Sequence, residues 1–343
     1  MLLAEELEKA CAIDTAFVVL NSHERCTLAY PIIHCAPAQL LESCLAHSGN
    51  QPAALLIHVS GYGYSVDGAP TLLAEALARV QADGRFSIGA YFHELFATGM
   101  PWKSAFWYTR RQQKAVRRIA ELCNLVVTNT SYHANWLERE TTRQSAVSIQ
   151  LLPVFSTAGE IQSPIPVAQR QPVIAVFGLP ESRRRAYTDL AALGDMSSLL
   201  GIKEILDIGA ESDTPSQVNG IPVRRKGAQG VSELARELSL ATYGFLPYAA
   251  MYLAKSSTFA AYCAQGAVPV IATPFAGEVD GLKDGVHLLS PKTASAARVC
   301  GLDHCSRAAW EWYSEHRIHV HAAAYARWLN QFAAQQEREQ RTI

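Results

Sequence analysis

The chain has 343 residues, of which 49% are hydrophobic and 18% are charged, and its formal net charge is −1. This length exceeds the size at which one hydrophobic core usually stops growing, so we expect two domains, and the composition excludes a disordered chain. The near-neutral charge gives no general attraction to nucleic acid or to anionic membranes. Early glutamates do not fit a secretory signal and no apolar run is long enough to span a bilayer, so we expect a cytoplasmic protein. Peripheral contact with the inner face of the membrane stays open.

The cysteines and histidines do not predict a metal site. Eight cysteines are present and none forms a C-x-x-C motif, so we expect reduced, mostly buried thiols. Two cysteines directly follow a histidine, but adjacent residues do not easily face one tetrahedral ion. His316, His319 and His321 do not share one helix face, and we expect them to be surface or packing residues.

The first half of the chain alternates strand-like and helix-like segments. Predicted strands lie at 16–22, 51–60, 85–94, 124–130 and 145–155, and predicted helices at 36–48, 69–83, 104–123 and 131–140. This repeated strand–helix order predicts a parallel sheet with helices on both faces. Residues 156–172 follow with three prolines and no helical period, which predicts an interdomain linker.

The second half repeats the same rhythm. Predicted strands lie at 173–178, 204–210, 221–227, 242–248 and 267–273, with helices within 182–202, at 231–241, at 256–266 and from 306 to the C-terminal end. We therefore predict an α/β fold of two tandem Rossmann-like, doubly wound domains, 1–155 and 173–305, with the helices of 306–343 crossing back to the first. Ligands of such sheets bind outside the carboxyl ends of the strands, so a cleft between the domains is the expected site.

Two segments of the second half could bind a phosphate. In "VFGLPESRRRAY" a strand ends at Gly178 and three arginines follow, Arg183 to Arg185. Arginines beside the free N–H groups of a helix start can bind an anion. Helical residues are 100° apart, so at most two of the three can face one ligand, and a solvated helix start explains each arginine equally well.

The other segment is "KSSTF". It offers the cation of Lys255, the hydroxyls of Ser256, Ser257 and Thr258, and a helix N terminus after a strand. This set suits a diphosphate, and an ordinary N-cap serine is compatible with it. Lys255 is the informative residue, because a cation is unfavourable at a helix N terminus unless an anion offsets it.

In the first half, His93 and Glu94 follow a predicted strand. A histidine there can hydrogen-bond a sugar or act as a general base, or it can be a satisfied strand-end residue beside a capping glutamate. Aromatic residues follow in "GMPWKSAFW". Trp102 is a candidate for stacking on a sugar, whereas Phe106 and Trp107 are predicted to belong to the core stripe of a long helix.

The stretch "SGYGYSVDG" lacks the third glycine of a dinucleotide-binding loop. Gly61 and Gly63 are predicted to permit a tight loop from which Tyr62 and Tyr64 present a surface suited to a sugar. A glycine turn with packed tyrosines is the equal alternative. Asp67, at the end of this stretch, is a further candidate for a general base.

The second half resembles the nucleotide-sugar-binding domain of retaining GT-B glycosyltransferases of bacterial polysaccharide assembly (the glycosyltransferase group 1 type). The resemblance is carried, in order, by "VFG…RRR", "ILDIGAE", "ELARELSLATYGFLPY" and "AAYCAQGAVPVIAT…GEVDGLKDGVHLL". In the first half, "YFHELFATGMPWKSAFWY" and "VVTNTSYHANWL" are similar to the histidine loop and the strand–serine–helix segment of that family. The similarity spans residues 55–290.

The resemblance implies transfer of a hexose from a nucleotide-diphosphate sugar, a UDP-sugar, to a glycan, lipid-linked or small-molecule acceptor in polysaccharide synthesis. It implies a donor domain over 173–305 and an acceptor-side domain over 1–155. The implied donor-phosphate residues are Gly178, Arg183, Lys255, Ser256, Ser257 and Thr258, and the implied acceptor or sugar residues are Gly61, Tyr62, Gly63, Tyr64 and Trp102. In the family the leaving phosphate takes the acceptor proton and the histidine, here His93, lies by the hexose. An inverting enzyme would need His93, Glu94 or Asp67 as its base.

The chain departs from the family pattern in two places. The usual pair of glutamates falls near Ala254 and Tyr262, and Leu179 replaces the arginine after the strand glycine. No D-x-D motif occurs, which favours charge neutralisation without a metal. A catalytically silent binding protein of the same fold and a sugar-nucleotide 2-epimerase are the alternatives, although the glutamate-poor loop disfavours the epimerase. A nucleic-acid-binding protein is disfavoured by the neutral charge and by the lack of a basic stripe.

Overall fold

A computed structural model describes residues 1–20, 29–49, 51–97, 102, 104–141, 149–192, 200–295 and 301–342. The chain divides into two compact units. Unit 1 comprises Met1–Leu152 and His321–Ile343, and unit 2 comprises Pro153–Val320. The helix at the C-terminal end therefore begins in unit 2 and continues in unit 1.

Unit 1 contains a four-stranded parallel sheet in the order β3-β4-β5-β6 and a separate parallel pair, β1-β2. The strands are β1 (Phe17–Leu20), β2 (Ile32–Cys35), β3 (Ala53–Val59), β4 (Phe86–Phe92), β5 (Leu125–Thr128) and β6 (Ile149–Leu151). The helices are α1 (Leu2–Cys11), α2 (Leu40–Ser48), α3 (Gly61–Tyr64), α4 (Thr71–Asp83), α5 (Ser104–Leu122) and α6 (Ser131–Glu140).

Strand β4 is buried along its whole length, as expected of the second strand in a parallel sheet covered on both faces. Alternate residues of a strand point to the same face, and on one face of β4 the cover is the C-terminal helix. Trp328 of that helix donates from its indole nitrogen to the Ser87 hydroxyl at 3.0 Å. A Cβ atom at Gly89 would lie 2.9 Å from the Trp328 ring, so glycine is what permits this close packing.

Unit 2 contains a six-stranded sheet in the order β12-β11-β7-β8-β10-β9, in which only the β9–β10 pair is antiparallel. The strands are β7 (Gln171–Phe177), β8 (Glu204–Ile208), β9 (Gln217–Val218), β10 (Ile221–Arg225), β11 (Ala241–Leu246) and β12 (Val268–Ile271). The helices are α7 (Pro180–Ala192), α8 (Val231–Leu240), α9 (Ser257–Ala264) and α10 (Leu302–Ser314), and α11 (Ile318–Thr342) completes the chain.

The unit 2 sheet has a hydrophobic core on each face. Val173 and Ala175 of β7 belong to one core, and Ile174 and Val176 belong to the other. Both faces of β7 are therefore buried, and for this reason its central residues are all apolar and do not alternate with polar ones.

The predicted α/β fold with parallel, doubly wound sheets is confirmed. Helix α1, strand β2 and the short helical turn α3 are elements that the sequence patterns did not predict. Residues 156–172, predicted to be a linker, lie within unit 2. There the Ser156 backbone N–H donates to the Tyr313 hydroxyl at 2.8 Å, and the buried Arg170 donates to the carbonyls of Ala241 and Gln265. In the part of the chain that the structure describes, no helix combines the length and apolar character that a membrane crossing requires.

Candidate functional site

The carboxyl ends of β3 and β4 bring two histidines together in unit 1. The register pairs His58 with Tyr91, so His58, Tyr91 and the following His93 lie on one face of the sheet. The His58 Nδ1 and His93 Nε2 atoms are 3.0 Å apart, and the two rings stack with centroids 5.2 Å apart. Tyr91 packs against His93 at 4.5 Å and against the buried His321 at 5.9 Å.

The hydrogen bond between the imidazoles requires one ring to donate and the other to accept, so at least one ring is neutral. Desolvation by the surrounding protein lowers the pKa of His58, and the positive charge of the N terminus adds to this shift, although part of the ring reaches solvent. The backbone of His93 is fixed by hydrogen bonds with Val59 and Asn129. Glu94 is exposed beside it. Both residues predicted here thus lie at a strand end, as expected.

The "GYGY" stretch forms the helical turn α3 directly after β3. A Cβ at Gly61 would lie 2.3 Å from the Gly68 carbonyl oxygen, whereas Gly63 faces open space, with its nearest neighbour at 4.0 Å. Tyr64 is partly buried and its hydroxyl donates to the His58 carbonyl at 2.9 Å, while Tyr62 is 53% exposed. The two tyrosines therefore differ, since Tyr64 packs and Tyr62 presents its ring to solvent.

Asp67 holds this loop together. Its carboxylate accepts hydrogen bonds from the Ser65 hydroxyl and the Ala69 backbone N–H, and it pairs with Arg111 at 2.9 Å. These contacts lower the pKa of Asp67, with the Ser65 hydrogen bond as the largest cause. A carboxylate engaged in this way is a poor proton acceptor, so the geometry favours a loop-holding role over the predicted role as a base.

The aromatic residues near the start of α5 are exposed. Trp102 is 77% exposed, as a sugar-stacking residue must be. Phe106 and Trp107, predicted to be core residues, are 44% and 73% exposed, so that prediction is wrong. The hydrophobic face of α5 lies elsewhere on the helix, where Val116 and Ile119 are fully buried. The solvent face of α5 also carries four exposed cations, although no basic stripe was predicted from the sequence; they are Arg110, Arg111, Lys114 and Arg118.

In unit 2 the two predicted phosphate segments meet. Gly178 follows β7 with a φ of 138°, and a Cβ there would lie 3.6 Å from the Thr258 hydroxyl oxygen at the start of α9. The backbone of Gly178 also closely approaches Gly209 after β8, where a Cβ would lie 2.6 Å from the Gly178 carbonyl oxygen. The strand ends of β7 and β8 and the N terminus of α9 therefore share one small region.

The hydroxyls and the cation of this region have different roles. The Ser256 hydroxyl caps α9 by accepting from the Phe259 backbone N–H at 3.2 Å. Ser257 is exposed and Thr258 is partly exposed, so both can meet a ligand. The Lys255 ammonium lies 5.0 Å from the centroid of the Tyr252 ring, on the turn that precedes the helix.

Arg183, predicted to bind phosphate, is 1% exposed. Its guanidinium pairs with the buried Asp207 and donates to the carbonyls of Gly178 and Ala210. These contacts favour a structural role, in which Arg183 fixes the turn after β7. Of the three neighbouring arginines, Arg184 and Arg185 are exposed and form ion pairs with Glu181 and Asp189 on their own helix.

The positions that correspond to the family's glutamates lie inside the protein. Ala254 is 1% exposed, and Tyr262 is fully buried with its hydroxyl donating to the carbonyl of Ala175 at 3.0 Å. The ring of Tyr262 packs on Gly244, where a Cβ would lie 2.3 Å away. Position 262 therefore supplies core packing and offers no exposed carboxylate.

No group of three potential metal-ligating side chains is found among the described residues. The C-terminal histidines do not converge. His316 packs against Trp312 and Tyr313, His319 is exposed, and His321 is buried against Tyr91 and Tyr325.

No protein-family profile and no curated protein matches the sequence. Several solved structures are similar. A sucrose-phosphate synthase from Thermosynechococcus elongatus gives a TM-score of 0.55 at 15% identity, covering 98% of this chain and 92% of that one. An α,α-trehalose-phosphate synthase (UDP-forming) from Burkholderia vietnamiensis gives 0.55 at 14%, covering 88% and 77%. An α-glucosyltransferase, solved with UDP-glucose and DNA containing an abasic site, gives 0.51 at 10%, covering 88% and 86%. The likeness confirms the GT-B fold.

His58 is the site residue that sequence reasoning missed. It stands two residues before the end of the predicted strand 51–60 and one residue before the end of β3, and a register in which β3 and β4 end together would have placed it beside His93. The signal was therefore present in the two strand ends, but it required the pairing register to be used.

Proposed function

We propose that the chain is a glycosyltransferase that moves a hexose from a nucleotide-diphosphate sugar to a hydroxyl acceptor. The proposal rests on the meeting of the Gly178 turn with the start of α9 in a GT-B fold. That region combines glycine backbone, a helix N terminus and the Thr258 hydroxyl, and Lys255 and the exposed Ser257 stand next to it in the sequence. Backbone N–H groups at a helix start and a nearby cation favour a bound phosphate.

The leaving diphosphate gains negative charge as the glycosidic bond breaks. Hydrogen-bonding groups and cations that are already fixed at the diphosphate stabilise the transition state more than they stabilise the bound nucleotide sugar, because the negative charge is larger in the transition state. We assign this role to Lys255 and the N terminus of α9, with no metal ion required. Because Arg183 is enclosed by Asp207 and two carbonyls, it supports the turn and is not assigned to the phosphate.

His93 is assigned to the sugar. As the partner of His58 it has a fixed ring, and it either hydrogen-bonds a sugar hydroxyl or accepts the proton of the acceptor. Exposed Glu94 is the alternative base, and exposed Tyr62 and Trp102 are assigned to stacking on the acceptor.

The nucleotide is proposed to be UDP. One similar structure was solved with UDP-glucose and another is described as UDP-forming. A glycan, lipid-linked or small-molecule acceptor and a role in polysaccharide synthesis complete the proposal, and only the resemblance of the sequence to the bacterial enzymes supports them.

Thermal unfolding in the presence of UDP, GDP, TDP, ADP or CMP, with and without Mg²⁺, tests the donor site. A ligand that binds the folded chain raises its melting temperature, and we expect the largest rise with UDP in the absence of metal. Absence of a shift with every nucleotide contradicts the donor site, and a shift that requires Mg²⁺ contradicts the metal-free assignment.

A catalytically silent nucleotide-binding protein is the second candidate. It is favoured by the alanine at 254 and the tyrosine at 262, which supply no carboxylate to a ligand and are both buried. A transfer assay with UDP-hexoses separates the two candidates, since a silent protein binds UDP without releasing it from a UDP-sugar.

A further inference from the structure

The two paired histidines of unit 1 differ in how far they reach solvent. His58 is exposed near the carboxyl end of β3, whereas His93, just after β4, is only partly exposed. The backbone N–H of His93 donates to the Val59 carbonyl at 3.0 Å, and the His93 carbonyl accepts from the buried Asn129 amide at 3.1 Å. His93 is therefore the inner ring of the pair, and His58 is the outer ring.

Each ring uses one particular nitrogen for the other ring. The Nδ1 atom of His58 and the Nε2 atom of His93 lie 3.0 Å apart, and the ring planes are inclined by 26°. The two nitrogens of an imidazole lie on opposite sides of the carbon between them, so Nε2 of His58 is on the side away from this contact. Among the described residues, His93 is the one hydrogen-bond partner of the His58 ring. The pair thus leaves Nε2 of His58 to a ligand.

The hydrogen bond also decides where the protons of the pair are. A neutral histidine carries one ring proton, and the Nε2–H form is the more stable one in water. If His93 donates from Nε2 to Nδ1 of His58, both rings have this form. The reverse hydrogen bond requires the less stable Nδ1–H form in both rings. The pair is therefore expected to present an N–H group at Nε2 of His58.

The surroundings favour a neutral pair. Burial is the largest cause that lowers the pKa of His58, and the positive charge of the N terminus adds to this shift. Tyr91 of β4 packs against both rings, and the Tyr64 hydroxyl of α3 donates to the His58 carbonyl at 2.9 Å. Burial raises the pKa of both tyrosines, so both are neutral. His58 therefore meets a ligand as a neutral hydrogen-bond donor.

We propose that His58 is a further sugar-binding residue, which donates from Nε2–H to a hydroxyl oxygen of the hexose, and that His93 is the positioning residue that fixes its tautomer. This contact adds to the one assigned to His93, and it rests on the proposed function, because the hexose is that of the nucleotide sugar. His58 exchanges no proton in this role. Its Nε2 carries a hydrogen both in this neutral pair and in a protonated one.

A role of His58 as a general base fits the pair less well. A base needs a bare Nε2, which would require the less stable Nδ1–H form in both rings. The lowered pKa of His58 also makes it a weaker proton acceptor than an ordinary histidine.

NMR of the full chain, labelled with ¹⁵N in its histidines, tests the tautomer without any ligand. Two-bond ¹H–¹⁵N correlation spectra distinguish N–H groups from bare ring nitrogens, and the variants His58→Gln and His93→Gln identify the two sets of signals. Above the ordinary imidazole pKa of about 6.5, we expect N–H at Nε2 and a bare Nδ1 in both rings. An Nδ1–H form of His58 overturns the proposal.

Calorimetric titration with UDP-glucose and with UDP tests the sugar contact, because the ratio of the two affinities measures what the hexose contributes. His58→Leu should weaken the binding of UDP-glucose by about three- to tenfold, the range of one neutral hydrogen bond, and leave the binding of UDP unchanged. His34→Leu removes an exposed histidine of β2 and is the matched control. It should bind both ligands as the wild type does.

The isosteric variants His58→Gln and His58→Glu separate a donor from an acceptor. A glutamine amide can accept from His93 through its oxygen and donate to the hexose through its nitrogen, so His58→Gln should bind UDP-glucose within about twofold of the wild type. A carboxylate only accepts, so His58→Glu should lose at least as much affinity as His58→Leu. Wild-type binding by His58→Glu together with weakened binding by His58→Gln contradicts the donor role.

Two further outcomes overturn the sugar contact. One is unchanged binding of UDP-glucose by His58→Leu, and the other is equal weakening of UDP and UDP-glucose, which places the effect outside the hexose. If neither ligand binds the wild type, the donor site of the proposed function fails and the sugar contact fails with it, while the NMR spectra still decide the tautomer. Because His58 is exposed, melting temperatures close to that of the wild type will show that the variants are folded.

Discussion

The strand ends of the two units present different chemical groups. In unit 1, β3 and β4 end in two ionisable rings, His58 and His93, that contact each other. In unit 2, the corresponding region after β7 offers glycine backbone and the Thr258 hydroxyl, and its most prominent arginine, Arg183, is buried. A run of charged residues in the sequence is therefore a poor guide to which charge meets a ligand, because folding can enclose one member of the run.

In unit 2, the substitution Arg183→Ala should cause the largest loss of stability. The substitution leaves Asp207 buried without its cation, which is expected to lower the free energy of unfolding by about 3–5 kcal/mol. Arg184→Ala, at an exposed position of the same helix, should change it by less than about 0.5 kcal/mol. Urea-induced unfolding measures both, and equal losses would show that Arg183 is not a structural arginine.

In unit 1, the substitution Gly61→Ala should destabilise the loop that follows β3. The added methyl would lie 2.3 Å from a backbone oxygen, so the loop must move, at a cost of about 1–3 kcal/mol. Gly63→Ala is the control, because its methyl enters open space. Gly61→Ala should have a lower melting temperature and a lower transfer rate than Gly63→Ala. Equal values for the two variants would show that the position of Gly61 does not specifically require glycine.

Lys255→Ala should lower the affinity for UDP by about tenfold or more, because a charge-assisted hydrogen bond contributes roughly 1.5–3 kcal/mol. Lys203→Ala, which removes an exposed cation elsewhere in unit 2, should leave the affinity unchanged. Calorimetric titration with UDP provides the measurement. If Lys255→Ala binds UDP as the wild type does, the phosphate site lies elsewhere.

The smallest expected effect is a pH dependence of stability that arises from His58 in unit 1. Because the pKa of His58 is lowered in the folded chain, the unfolded chain binds more protons at this ring below about pH 6.5. The contribution of His58 to stability is therefore complete above that pH and decreases as the pH falls through the window between the two pKa values. His58→Gln should lose less stability than the wild type on acidification, as followed by urea unfolding at several pH values. Parallel pH curves would contradict the shift.

The order of strands and helices was largely predictable, because apolar runs and helical periods reflect burial within single elements. Helix α6 occupies the predicted residues, and β7 and β8 lie within two residues of their predicted starts. The exposure of Phe106 and Trp107 was not predictable, since two rings at the start of a helix fit either face until the packed side is known. The burial of Arg183 was not predictable either, because its partner Asp207 lies 24 residues further along the chain and meets it only in the folded protein.

The passage of α11 into unit 1 has a consequence for biosynthesis. The face of β4 that carries Ser87, Gly89 and Tyr91 is covered by Trp328 and His321, which are synthesised after the whole of unit 2. Unit 2 can fold from a contiguous stretch, whereas unit 1 also needs the segment from His321 onwards, which is synthesised only after unit 2. A nascent chain stalled shortly before α11 would therefore carry an unfinished N-terminal sheet, and a premature stop codon there would damage the unit that is farther from it in sequence.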